Sequence, residues 1–60
     1  PPLQRGDLAI NGQDVMRALH LEPGPQVGKI LGAVQQKVLQ RPEWNRKDIL
    51  VAYIIRRFSP

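Results

Sequence analysis

The sequence predicts an all-α fold: a small three-helix bundle with a short helix one, a long helix two and an apolar helix three. Three observations predict it. Apolar residues recur at three- and four-residue spacing, no stretch reads as a strand long enough to build a sheet, and prolines divide the chain into helix-length segments. Sixty residues allow one domain at most, and a domain of that size buries only about 60% of the surface its unfolded chain exposes. With no cysteine and a single histidine, neither a disulfide nor a thiolate metal site can staple the fold. Apolar packing has to suffice.

Pro1 to Gly6 has turn and linker composition and is read as a linker or fragment end, leaving residues 7–58 as a single helical domain. From a start without Met and an end at Ser59-Pro60 we expect either a piece cut from a larger protein or a processed chain. Asp7 to Ile10 forms a brief apolar approach. Asn11 is a good N-cap and Asp14 stands three residues on, in capping-box spacing, so a short helix runs from about Gly12 to Leu19 with Val15, Met16 and Leu19 on its apolar face. Past its end, His20 falls where the chain wants the left-handed conformation, which His tolerates.

Pro23 stops that helix, and Pro25 can open the next because its missing N–H costs nothing at the first helical position. Val27, Ile30, Leu31, Val34 and Val38 predict an amphipathic helix from about Pro25 to Gln40. Pro42 ends it after Arg41. Asn45 with Asp48 repeats the cap spacing of Asn11 with Asp14 and predicts the start of a third helix that runs to Phe58. That helix is apolar on nearly every side, more than a three-helix miniature can bury, so part of it is expected to contact something outside these residues.

Nine Lys+Arg against five Asp+Glu give a net charge of +4, and the sequence pI near 10.4 leans toward an acidic partner such as nucleic acid. The longest apolar run, Ile49 to Ile55, is far short of a membrane span, and the N-terminus lacks the apolar core of a signal peptide. No membrane contact and a cytoplasmic location are therefore expected. Enzyme chemistry fails on inventory: the five carboxylates are mostly cap or turn residues, and no nucleophile–base pair stands out. The 60 residues are expected to be non-catalytic and to hold no cofactor.

The candidate contact is the turn Pro23-Gly24-Pro25-Gln26-Val27-Gly28. It can present a helix N-terminus to a phosphate, as in helix-hairpin-helix modules, or serve as a plain interhelical turn. A glycine just inside a helix lowers helix propensity, so Gly28 implies a close approach, either by helix one or by a phosphate. Lys29, Gln36, Lys37 and Gln40 share a side of helix two that could follow a phosphate backbone or simply face water. Trp44 beside Pro42 could stack on an exposed base but fits better as a cap that seals one end of the core.

Taken together, Asp7-Leu8-Ala9-Ile10-Asn11-Gly12-x-Asp14-Val15-Met16, then Leu19-x-Leu21-x-Pro23-Gly24-Pro25-x-Val27-Gly28-x-Ile30-Leu31, then Val38-Leu39 and Asn45, carry a resemblance. They resemble the C-terminal tail region of bacterial tRNA nucleotidyltransferases, the CCA-adding and poly(A) polymerase family. His20 departs from the glycine usual there, and residues after Asn45 match more loosely. The resemblance implies an all-helical piece that helps position tRNA or another structured RNA by backbone contacts. It also implies that Mg²⁺ and CTP or ATP are bound by a catalytic head absent from this chain. Carried onto this sequence, the RNA-contacting residues are Gly24, Gln26, Gly28 and Lys29 at the turn and Lys37 on the following face. Two alternatives stand beside it: a structural module whose third helix docks on the rest of the parent protein or on a second copy, and a helix-hairpin-helix-like binder of duplex DNA.

Overall fold

The computed structural model describes residues 7–59, so the linker expected over residues 1–6 lies outside the described residues. Three α-helices, α1 (Gly12–Leu19), α2 (Pro25–Gln40) and α3 (Lys47–Phe58), follow in order, with a short 3₁₀ turn, Pro42–Trp44, between α2 and α3. This is the all-α three-helix bundle that the apolar spacing predicts, and α1 packs against both of the others.

The first cap forms as its spacing dictates. The Asn11 side chain accepts the Asp14 N–H at 3.0 Å and the Asp14 carboxylate accepts the Asn11 N–H at 2.9 Å, a closed capping box of the kind worth about 1 kcal/mol. At the other end of α1, His20 takes the left-handed conformation, φ 56° and ψ 46°, and the His20 and Leu21 N–H groups both reach the Met16 carbonyl. That closure satisfies the end of α1 and turns the chain toward Pro23.

The core is one cluster of nine buried apolar residues: Val15 from α1; Val27, Ile30, Val34 and Val38 from α2; Leu50 and Ile54 from α3; and Leu8 and Ile10 from the segment before α1. The last two make that approach a working part of the fold. Asp7 and Ala9 are exposed while Leu8 and Ile10 are buried, so this irregular segment, bent at Leu8 and Ala9, is seated on the bundle as a strap.

Asn45 corrects one expectation. It does not cap α3, which starts at Lys47 with Arg46 at the cap position and no side-chain hydrogen bond. Its amide turns to the strap instead, accepting the Ala9 N–H at 2.7 Å and donating to the Asp7 carbonyl at 2.8 Å. Both bonds are exposed, so their effect is to fix the strap in place, and the Asn side chain suits it because its carbonyl accepts while its NH₂ donates. Asp48 pairs with Arg46 at 3.5 Å rather than completing a capping box.

Gly28 corrects another. A Cβ built at Gly28 meets nothing within 4 Å, so no part of this bundle approaches it closely. The close helix–helix contact belongs to Gly12, where a Cβ would stand 3.3 Å from Val27 Cγ1 and 3.9 Å from Leu31 Cδ1. The N-terminus of α1 thus sits against α2 through a glycine that the capping pattern had already accounted for.

Candidate nucleic-acid interface

The turn between α1 and α2 builds the first part of the site. Pro25 occupies the opening position of α2, and Gly24 before it is fully extended, φ 168° and ψ −179°, with no side chain capping the helix end. The Val27 N–H turns back to the Gly24 carbonyl at 3.2 Å, and Pro25 has no N–H to offer. The amides of Gly24 and Gln26 are left without a partner among the described residues. No acidic residue stands in the first turn of α2, and the nearest carboxylate in sequence before it is the exposed Glu22, two residues before Gly24. Gln26 and Lys29 are exposed and Gly28 half-buried, so the turn, Gln26, Gly28 and Lys29 form one accessible end of the molecule.

Lys37 does not join them. It lies eight residues beyond Lys29, about 12 Å along the helix axis, and its Nζ sits 5.5 Å from the centroid of the Trp44 ring and 5.7 Å from that of Tyr53. The two rings meet edge to face, centroids 5.8 Å apart and planes at 67°. Trp44 is half-buried against the core, so it seals that end as expected, and Lys37 is drawn onto the aromatic pair by the negative ring faces. The five expected residues therefore lie in two places, four at the turn and Lys37 on the following face beside the aromatic pair.

Charge is distributed unevenly over the surface. Lys47 pairs with Asp14 at 3.7 Å, Arg46 with Asp48 at 3.5 Å and Arg41 with Glu43 at 3.9 Å. Arg17, Lys29, Lys37, Arg56 and Arg57 have no carboxylate partner among the described residues. A groove beside α3, unannounced by the sequence, gathers residues from the 3₁₀ turn and α3. Its apolar lining is Trp44, Ile49, Ala52 and Tyr53, its charged lining is Asp48, Arg56 and Arg57, and its volume is about 520 Å³. The signal was present as Ile49, Ala52, Tyr53 and Arg56, a stripe at helical spacing, but only the packing of Trp44 beside it makes a groove.

Among the described residues no group of three or more His, Cys, Asp or Glu could hold a metal ion, and no helix is long and apolar enough to cross a membrane. A family model described as "tRNA nucleotidyltransferase domain 2 putative" matches residues 3–54. The chain belongs to this tRNA nucleotidyltransferase family. Relatives of this chain include the CCA-adding enzyme of Lactiplantibacillus plantarum, 38% identical over 53 residues, which are 88% of this chain and 13% of that protein. The CCA-adding enzyme of Levilactobacillus brevis is 43% identical over 47 residues, 78% of this chain and 12% of its own, and that of Geobacillus kaustophilus 33% identical over 57 residues, 95% and 14%. The segment thus spans about an eighth of the length of the first of these relatives. No solved structure matches it.

Proposed function

We infer that this segment is a non-catalytic RNA-positioning module of a tRNA nucleotidyltransferase, holding structured RNA of the tRNA class by its phosphate backbone. The observation that carries this reading is the uncapped N-terminus of α2, where the Gly24 and Gln26 amides, the open face of Gly28 and the exposed Lys29 gather in a chain of that family. The net charge of +4 and the absence of an acidic residue from the first turn of α2, with Glu22 standing three residues before Pro25, favour the same partner. Nucleotidyl transfer, with Mg²⁺ and CTP or ATP, belongs in this reading to the remainder of a cytoplasmic parent protein. The described residues bring together no donor set that fits the metal, so no step of that reaction is assigned to them.

Gly28→Ala tests the site without threatening the fold. With nothing within 4 Å of the new methyl group, the substitution removes a helix-interior glycine and is expected to stabilise α2 by about 0.8–1 kcal/mol. The same methyl blocks the approach of a phosphate, so affinity for labelled tRNA falls while the melting temperature rises. Unchanged tRNA affinity in a stabilised Gly28→Ala protein counts against the contact.

Lys29→Ala is expected to weaken tRNA binding and to flatten the dependence of log affinity on log salt by about 0.7–0.9, the release of counterions from one phosphate. Titrations at several salt concentrations measure it; binding indifferent to salt would sink the reading. A second reading, docking of α3 on the rest of the parent or on another copy, is favoured by the exposure of Ile55, 41% accessible at the outer face of α3. Sedimentation of the segment separates the two: a monomer that binds tRNA supports the first, and a dimer that ignores tRNA supports the second.

A further inference from the structure

We propose that the groove beside α3 stacks one unpaired RNA base, with Arg56 and Arg57 taking the phosphates that flank it. This rests on the RNA reading above and adds a second contact, because the groove lies with Trp44 and Tyr53 rather than at the turn before α2.

The groove has the size of an ordinary small-molecule site, about 520 Å³ against roughly 300–1,000 Å³. Its aromatic walls are held in place. Trp44 and Tyr53 fix each other edge to face, and Lys37 lies over both rings without lining the groove, so it braces the pair from elsewhere and leaves the groove side open. Rings ordered in advance lose little freedom when a base stacks on them. The positions along α3 follow from helix geometry: Ile49, Ala52, Tyr53 and Arg56 are spaced three and four apart and share one face.

Charge chooses the occupant. Asp48, the carboxylate of the groove, is engaged by Arg46 at 3.5 Å, whereas Arg56 and Arg57 have no carboxylate partner among the described residues. A ligand that matches must bring a flat apolar surface and negative charge together, which a nucleotide does. A second copy of this chain brings +4 of its own and sets arginine against arginine. Duplex RNA keeps its bases stacked inside and offers no loose base, so the fit is to a loop, bulge or single strand.

Trp44, the single tryptophan of the chain, reports on the groove directly. Addition of a single-stranded oligoadenylate is expected to quench its fluorescence, and a blunt RNA duplex of equal length is expected to leave it nearly unchanged. Ala52→Glu places a carboxylate in the groove at an exposed helical position; it should keep the helical circular dichroism and weaken oligoadenylate binding roughly tenfold. Arg56→Ala with Arg57→Ala should flatten the salt dependence on the single strand by about 1.4, two phosphates at about 0.7 each. If labelled tRNA binds, responds to Gly28→Ala and Lys29→Ala, and ignores Ala52→Glu, the groove proposal falls while the RNA reading stands. If no RNA binds at all, both fall. Fluorescence that changes with protein concentration in the absence of RNA, alongside a dimer in sedimentation, assigns the groove to a second copy and overturns the proposal.

Discussion

Ile54→Ala is expected to unfold most of the molecules at physiological temperature. Ile54 and Leu50 are the two α3 side chains with no accessible surface, one turn apart on the face that meets the other helices. Truncating a buried isoleucine removes its transfer free energy and leaves a cavity, at a cost of about 2–5 kcal/mol. A core in a chain of this size rarely supplies more than about 3–5 kcal/mol in all. The loss is therefore comparable with the whole stability. Neighbouring Ile55, 41% exposed, provides the control, and Ile55→Ala should shift stability by only about 0.5 kcal/mol. Urea melts followed by far-ultraviolet circular dichroism compare the two, and equal shifts would mean that α3 packs by another face.

Asn45→Ala is expected to destabilise the fold by about 1–3 kcal/mol and to do so at a distance in sequence. The side chain holds the Ala9 N–H and the Asp7 carbonyl, 36 and 38 residues away, and through them seats Leu8 and Ile10 in the core. Asn45→Asp separates this role from capping. Asp is as good an N-cap as Asn, so a capping residue would tolerate the change. In the strap the new carboxylate can still accept from Ala9, but it faces the Asp7 carbonyl without a proton to donate, so Asn45→Asp should cost nearly as much as Asn45→Ala. Amide exchange at Ala9 reads the outcome: it accelerates in both variants if the strap is held as described and stays protected in Asn45→Asp if Asn45 acts as a helix cap.

Much of the fold was legible because its signals are local. The capping box at Asn11 and Asp14, the left-handed His20, the start of α2 at Pro25 and its buried stripe all depend on residues within a turn or two of each other. The surplus of apolar surface on α3 was legible too, and the exposure of Ile55 and the groove beside Trp44 are where it appears. Asn45 was misread for the opposite reason. Its spacing from Asp48 repeats a true cap, but its partners lie at the other end of the chain, and no local pattern announces them. Gly28 and Gly12 exchanged roles on the same ground: propensity flags a glycine inside a helix, whereas crowding depends on which helix arrives beside it.

The candidate site divides similarly. The sequence pointed to the turn at Gly24, Gln26, Gly28 and Lys29 because proline and glycine chemistry fixes how a helix begins. It placed Lys37 on the following face, and helical spacing alone cannot show that this lysine will lie over two rings contributed by the 3₁₀ turn and by α3. By itself, then, the sequence determined the helices, their ends apart from the start of α3, the family and the net positive charge, all set by short-range geometry or by the order of residues. Tertiary structure alone decided that Asn45 fastens the strap, that Gly12 rather than Gly28 admits a neighbouring helix, and that Trp44, Tyr53 and the α3 arginines share a groove. Those outcomes depend on contacts between residues far apart in the chain, and only packing selects among the many such contacts that a pattern allows.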